Sequence, residues 1–102
     1  MVAVQVTYKI NADFVEVNKS NIATFLNDFK ELRNSKFLYH AYVKEDGLTF
    51  VHVSMYQSEE IQQEVLSTPS FVAFQTQRDQ NLAEAPTIER LAHVGSSLGL
   101  IK

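Results

Sequence analysis

Two histidines and two tyrosines occur close together in the sequence, in a pattern that could move a proton. Tyr42 follows His40 by two residues, and Tyr56 follows His52 by four. A neutral imidazole near its ordinary pKa can take a phenolic proton, and a neighbouring hydroxyl can orient the oxyanion. His52, His40 and Tyr42 are therefore candidate catalytic residues, and Tyr56 is a candidate ligand contact. The alternative is that both histidines are hydrogen-bonded residues of a subunit interface.

A second group of candidates contains one cation and several rings. Arg78 continues the helical stripe of Phe71 and Phe74 at a position where an apolar residue is expected. It is a candidate to hold a ligand carboxylate or phenolate, or its stem covers apolar surface while its head reaches water. Phe71, Phe74 and Phe25 are core residues first and cavity lining second. Asn11 stands at the end of the first predicted strand, where asparagine is usually a turn residue.

Three stretches of the chain have the composition of β-strands. Residues 2–10 alternate between apolar and polar side chains, which is the two-residue period of a half-buried strand. The runs 36–44 and 48–56 are rich in valine and aromatic residues. A short loop ending in Gly47 separates them, so they are predicted to form a hairpin.

The length of the hairpin loop decides which side chains share a face. If residues 45–47 form the loop, Lys44 pairs with Leu48, and His40 faces His52. One face then holds the apolar set Phe37, Tyr39, Ala41, Val43, Val51, Val53 and Met55, and the other holds Leu38, His40, Tyr42, Phe50, His52, Ser54 and Tyr56. A loop of two residues would shift the pairing by one and mix the two sets.

Helical periodicity appears in three segments. From about residue 19 to residue 34 the apolar residues are spaced by three and four, with Asn18 or Ser20 as the cap and Asn34 as the end. The stripe contains Ile22, Phe25, Leu26, Phe29 and Leu32. Ser58 followed by two glutamates predicts a short helix to about residue 66.

A proline then separates this helix from the next one. Thr68 and Pro69 predict the start of a further helix, because proline is tolerated only in the first turn. The face of this helix is predicted to run from Phe71 through Arg78 to Leu82. Ala85 and Pro86 are predicted to end the segment, and residues 87–94 to form a last strand, followed by a tail over residues 95–102.

The order of elements predicts an α+β fold. Strand, helix, strand, strand, helix pair and strand is the split βαβ order of a ferredoxin-like domain, with helices on one face of an antiparallel sheet. The whole chain, 1–102, is predicted to be one domain with its core in residues 2–94. Because the other sheet face carries Leu38, Tyr42, Phe50 and Tyr56, a second copy of the chain is predicted to cover it, giving a homodimer.

Composition excludes several classes of function. The chain has 102 residues, 45% of them hydrophobic, a net charge of -3 and no cysteine. Nucleic-acid binding is not expected without a basic patch, and thiolate metal sites and cysteine nucleophiles are excluded. No run approaches the roughly 18 apolar residues of a membrane span. No histidine or carboxylate spacing indicates a metal site. A soluble cytoplasmic protein is expected.

The interrupted helix carries a resemblance to a known family. The run Tyr56-Gln57-Ser58-Glu59-Glu60, followed by Leu66-Ser67-Thr68-Pro69-Ser70-Phe71 and Phe74, resembles a motif of the antibiotic biosynthesis monooxygenases, the dimeric α+β barrels. With the matching element order, the resemblance covers about residues 2–94. It implies that Asn11 is a candidate substrate contact, since some relatives have a polar amide near the substrate at that place. It implies a cofactor-independent monooxygenase acting on a small phenolic or quinol-like aromatic, which the site deprotonates and which itself reduces dioxygen.

The sequence also departs from the family's pattern. Many members have a histidine where this chain has Val65 and another where it has Ser70. Haem-degrading relatives use a tryptophan and a helix histidine, and this chain has no tryptophan and no histidine between His52 and His93. Haem degradation is therefore not expected. Two hypotheses follow: a monooxygenase with His52 or His40 as its base, and a binding or structural module that has lost this chemistry.

Overall fold

The computed structural model describes residues 1–97, so the last residues of the predicted tail lie outside the described part. The elements are β1 (Val2–Ile10), a short 3-10 helix (Ala12–Phe14), α1 (Val15–Glu31), β2 (Phe37–Val43), β3 (Thr49–Tyr56), α2 (Glu59–Leu66), α3 (Pro69–Asp79) and β4 (Leu82–Leu91). The sheet is antiparallel in the order β2-β3-β1-β4. This is the predicted ferredoxin-like α+β fold, with helices on one face of the sheet.

Helix α1 begins earlier than predicted. Its N-cap is Phe14, and neither Asn18 nor Ser20 caps it. Asn18 is instead fully buried and faces the sheet. The helix ends at Glu31, ahead of the predicted Asn34, and its stripe packs on the sheet through Ile22, Phe25, Leu26 and Phe29. Leu32 follows the helix as its C-cap and is partly exposed.

The hairpin has the register of the two-residue alternative, so the predicted pairing is wrong by one residue. The loop itself spans residues 45–48 and is closed by a hydrogen bond from the Lys44 backbone N–H to the Thr49 carbonyl at 2.8 Å. Ala41 pairs with His52 and His40 with Val53. Phe37, Tyr39, Ala41, Val43, Phe50, His52, Ser54 and Tyr56 therefore share the face under the helices, and Leu38, His40, Tyr42, Val51, Val53 and Met55 share the other. His40 and His52 consequently lie on opposite faces of the sheet.

The helix pair follows its local signals, but the last strand does not. The Ser58 hydroxyl accepts a hydrogen bond from the backbone N–H of Ile61 at 3.2 Å, and Pro69 occupies the first turn of α3. Strand β4 begins at Leu82, which was predicted to continue the helix, and ends at Leu91. Pro86 lies inside β4, where the register with β1 shifts. An edge strand accommodates a proline at such an irregularity.

None of the helices within residues 1–97 is long and apolar enough to cross a membrane.

Candidate functional site

A cavity of about 240 Å³ lies between the sheet and helices α2 and α3. Its walls are mainly apolar or aromatic, and their residues are Val4, Val6, Tyr39, His52, Ser54, Tyr56, Gln62, Leu66, Phe71, Gln75, Arg78, Pro86 and Ile88. The break between α2 and α3 lets the two helices cover the same part of the sheet. An apolar cavity with a few convergent polar groups is the usual form of a small-molecule site.

His52 connects the cavity wall to a buried chain of polar groups. Its Nδ1 atom lies 2.7 Å from the Tyr39 hydroxyl oxygen, and its Nε2 atom lies 2.9 Å from the Tyr8 hydroxyl oxygen. Asn18 donates a hydrogen bond from Nδ2 to the same Tyr8 oxygen at 2.9 Å. His52 is only 2% exposed, so its two hydrogen bonds satisfy both nitrogens of a neutral ring.

Burial keeps His52 and the tyrosines around it uncharged. Desolvation, and after it the positive charge of Arg78, lower the pKa of His52 from 6.5 to about 3. Desolvation raises the pKa of Tyr8 to about 12 and that of Tyr39 further still. It also raises the pKa of Tyr56, on the cavity wall, to about 12. At neutral pH the imidazole and the three phenols are therefore neutral.

Arg78 is the cation of the site. Its guanidinium carbon lies 5.5 Å from the centre of the Tyr8 ring and 5.4 Å from that of Phe74, within the range of cation–π attraction. It also contacts the Asp79 carboxylate at 3.0 Å. The arginine side chain is 13% exposed and the aspartate side chain 57% exposed, so the ion pair lies at the cavity mouth. A ligand anion inside the cavity would meet this positive charge in a weakly hydrated setting.

The structure gathers some of the predicted site residues and separates others. His52, Tyr56, Phe71 and Arg78 line the cavity, whereas the buried rings of Phe25 and Phe74 lie behind its wall. His40 and Tyr42 stack on each other on the opposite sheet face, where both are exposed. Asn11 is exposed beyond β1 and donates its backbone N–H to Asn81. The expectation that His40 and Tyr42 accompany His52 is therefore wrong.

Three residues of the polar chain were missed by the sequence reasoning. Tyr8 belongs to the inward side of β1, and a buried tyrosine needs a partner for its hydroxyl. That requirement was the available signal, since Tyr8 alternates with valines that face the helices. Tyr39 was assigned to an apolar face without His52, and Asn18 was interpreted as a helix cap.

A second cavity of about 480 Å³ lies between the end of α1 and strand β2. Lys30 and Arg33 belong to its wall, and Tyr39 is shared with the first cavity. Its charged groups are these two surface cations near a helix C-terminus, where cations ordinarily complement the helix dipole. We therefore assign the candidate site to the smaller cavity. Within residues 1–97, no group of three His, Asp or Glu side chains is arranged to hold a metal ion.

Comparison with known proteins identifies the fold. No model of a known family and no curated protein matches the sequence. A putative antibiotic biosynthesis monooxygenase from Nitrosomonas europaea superposes with a TM-score of 0.80 at 13% identity, covering 93% of this chain and 100% of that one. A putative antibiotic biosynthesis monooxygenase from Caulobacter crescentus superposes with a TM-score of 0.75 at 21% identity, covering 92% of this chain and 90% of that one.

A third similar structure is that of an oxygenase. A mutant of SnoaB, described as a cofactor-independent oxygenase from Streptomyces nogalater, superposes with a TM-score of 0.70 at 12% identity, covering 94% of this chain and 95% of that one. Identities this low carry information on the fold alone. The order of elements, the antiparallel sheet and these superpositions agree, and the chain has the fold of the antibiotic biosynthesis monooxygenases.

Proposed function

We propose that the cavity binds a small aromatic molecule with an acidic hydroxyl, and that the chain is a cofactor-independent monooxygenase of such phenolic or quinol-like compounds. The observation that carries the proposal is the composition of the cavity. Its walls are mainly apolar and aromatic, with Ser54, Gln62 and Gln75 as neutral polar groups and Arg78 as a cation, and the buried hydrogen-bond chain reaches the wall at Tyr39 and His52. A volume of about 240 Å³ is slightly below the usual lower limit of roughly 300 Å³, which favours a small ligand.

The proposed reaction uses the substrate itself as the reductant. The ionised ring gives electrons to dioxygen, and a carbon–oxygen bond forms at a ring C–H position. Loss of water then leaves a quinone carbonyl, so one oxygen atom stays in the product and the other leaves in water. The protein holds the anion beside Arg78 and excludes solvent from the cavity. His52 is the candidate group for proton exchange, through Tyr39. The oxygenase description of SnoaB supports this chemistry by similarity of fold.

A second candidate function is binding without reaction. Both ring nitrogens of His52 are engaged by Tyr8 and Tyr39, so the imidazole offers no free lone pair to a ligand. Burial also opposes its protonation. A site with these properties can hold a phenol without removing its proton. This alternative keeps the ligand class and removes the oxygen chemistry.

Oxygen uptake distinguishes the two functions. We expect the parent protein to consume oxygen with at least one member of a phenol and quinol panel, and His52→Ala to lower that rate at least about 100-fold, as for the loss of a proton-exchange group. His40→Ala is the matched control, and it should retain the rate because His40 lies on the opposite sheet face and does not line the cavity. Calorimetric binding without oxygen uptake in the parent would support the binding function and contradict the monooxygenase.

We propose a homodimer formed through the sheet face that lacks helices. That face carries the side chains of Leu38, His40, Tyr42, Val51, Val53 and Met55, all of them apolar or aromatic except His40, and Tyr42 is 56% exposed. An apolar face of this kind is typical of an interface. Sedimentation equilibrium at micromolar concentration should give about twice the 11.6 kDa of one chain. Val53→Lys, at the middle of the face, should shift the mass towards that of one chain, and a parent mass near 11.6 kDa would contradict the dimer.

A further inference from the structure

The hydrogen bonds of Asn18, Tyr8, His52 and Tyr39 form one chain that ends at the cavity wall. Its contacts measure 2.9, 2.9 and 2.7 Å from the Asn18 end to Tyr39. A tyrosine hydroxyl can donate or accept, and a neutral imidazole donates from one nitrogen and accepts at the other. The direction of the whole chain is therefore set by whichever end has only one choice.

Asn18 is the end whose role as donor or acceptor is fixed. Its Nδ2 atom faces Tyr8, and an amide nitrogen only donates. The Tyr8 oxygen thus accepts from Asn18, and its own proton is free to go to His52 Nε2. An imidazole that accepts at Nε2 carries its proton on Nδ1, which then donates to the Tyr39 oxygen. In this arrangement the Tyr39 hydroxyl group can donate a hydrogen bond to an acceptor in the cavity.

The reverse direction leaves a buried donor without a partner. If Tyr39 donated to His52 Nδ1, the Nε2–H group would donate to Tyr8, and the Tyr8 proton would need a new acceptor. Only a rotated Asn18 amide could supply one. Among the described residues, Asn18 Oδ1 has no hydrogen-bond partner as it stands, and rotation would exchange this unpaired oxygen for an unpaired N–H. Orphaned buried N–H groups are the rarer of the two.

We infer that Asn18 and Tyr8 hold His52 as its Nδ1–H tautomer, so that Tyr39 donates into the cavity and the site takes its aromatic ligand as an oxyanion already formed in solution. Tyr39 and Arg78 then bind the ligand oxygen together, one as a hydrogen-bond donor and the other as a cation. In this inference His52 and Asn18 are positioning residues that act through Tyr39, and this role replaces the proton exchange that the proposed function gives to His52. The inference rests on the proposed function, because it narrows the ligand class of the same cavity.

The tautomer of His52 decides whether the site can remove the proton of a phenol. To remove a phenol proton through Tyr39, the site needs a lone pair on His52 Nδ1. In the inferred hydrogen-bond direction, Nδ1 carries a proton instead. The titratable groups of the described cavity and of the chain behind it are Tyr8, Tyr39, His52, Tyr56 and Arg78. The tyrosine pKa values are raised and that of His52 is lowered to about 3. The imidazole and the three phenols therefore stay uncharged near neutral pH, so the pH dependence of binding there reports the ligand's own ionisation.

The tautomer can be measured without any ligand. Long-range proton–nitrogen NMR correlations of the imidazole distinguish a protonated ring nitrogen from an unprotonated one. We expect His52 to show a protonated Nδ1 and an unprotonated Nε2 at neutral pH. The Nε2–H tautomer would overturn the inference whatever the cavity binds. This readout is independent of oxygen uptake and therefore of the proposed monooxygenase activity.

A chromophoric phenol tests the ligand class. The probe is 4-nitrophenol, whose neutral and ionised forms absorb at different wavelengths, and 4-nitrotoluene is a neutral compound of similar size. We expect affinity for 4-nitrophenol to rise with the ionised fraction and the bound form to absorb as the phenolate. Preference for the neutral phenol would overturn the inference and leave the proposed function standing. Absence of binding in every form would overturn both.

Removal of one oxygen atom tests the role of Tyr39. Tyr39→Phe deletes the donor while keeping the ring, so we expect affinity for the nitrophenolate to fall about tenfold or more, as for a hydrogen bond to a charged group. Affinity for 4-nitrotoluene should not change, and the His52 tautomer should remain Nδ1–H because Tyr8 still donates to Nε2. An equal loss for both compounds would indicate that Tyr39 only shapes the cavity. That result would contradict its assignment as donor.

Discussion

Acidification is expected to destabilise the folded chain through His52. The pKa of this histidine is lowered in the folded state to about 3 from 6.5, because the buried ring is desolvated and Arg78 is nearby. Between these two values the unfolded chain binds a proton that the folded chain does not bind. The free energy of unfolding therefore falls with decreasing pH, by about 1.4 kcal/mol per pH unit at most, or about 3 kcal/mol from roughly pH 6.5 to roughly pH 4.

His52→Gln should remove this contribution. Glutamine cannot titrate, so we expect its plot of unfolding free energy against pH to be flatter than that of the parent over the same range. The variant also loses the stacking of His52 on Phe74, whose ring centres are 5.5 Å apart, which lowers stability at every pH. Urea unfolding at a series of pH values separates the two effects, because one changes the slope and the other changes only the offset.

The control for this experiment is an exposed histidine. His93 lies beyond β4 and is exposed, so His93→Gln should give a slope parallel to that of the parent. The tyrosines of the site have raised pKa values and titrate only above neutral pH. The pKa of Asp46 is lowered from 3.8 to about 2 by hydrogen bonds from Thr49 and Leu48, so this carboxyl adds to the slope only towards the acid end of the range, near pH 4. That contribution is the same in the parent and in both variants. A parent slope retained in His52→Gln would show that another group causes the acid sensitivity.

The hairpin shows where sequence reasoning stops. Both sheet faces are partly apolar, so alternation alone does not indicate which face is inside. The register is fixed by the Asp46 carboxylate, which accepts backbone N–H groups from Leu48 and Thr49 at 2.9 Å and the Thr49 hydroxyl at 2.6 Å. Gly47 supplies the left-handed residue at φ +71°. These contacts could not be ranked against the three-residue loop from residue types alone, and the single-residue shift separated His40 from His52.

Local signals succeeded where they were sufficient. Ser58 and Pro69 each define a helix start through the first turn alone, and both starts were predicted correctly. The position of Asn18 could not be predicted in this way, because its partner Tyr8 is distant in sequence and on another element. Pro86 was wrongly predicted to end the preceding segment. Its local tendency to end an element is overridden by the pairing of β4 with β1.

Phe25→Ala is expected to cause the largest loss of stability of any single change considered. Phe25 is fully buried in the centre of α1. Its ring lies within about 6 Å of five other rings, those of Phe29, Tyr39, His52, Phe71 and Phe74. Truncating such a residue removes its transfer free energy and leaves a cavity, which costs about 3–5 kcal/mol. Domains of this size have only about 5–15 kcal/mol in total.

Thermal unfolding measures this loss. At roughly 4–8 °C per kcal/mol, the melting temperature of Phe25→Ala should fall by at least about 12 °C. Val17→Ala is the matched control on the same helix, because Val17 is 45% exposed and its truncation should change stability by less than about 0.5 kcal/mol. Equal losses in the two variants would contradict the central position of Phe25.

Phe25→Leu extends the test to the cavity and is the variant to use if alanine abolishes folding. Phe25 contacts Tyr39 and Phe71 from behind and does not line the cavity itself, whereas Phe71 does. Leucine should therefore lower stability while phenol affinity stays within about twofold, since the cavity wall keeps its residues. Phe71→Leu should lower both, because its ring is shared between core and wall. If Phe25→Leu weakened binding as much as Phe71→Leu does, the ring would belong to the binding surface, and its assignment to the core would be wrong.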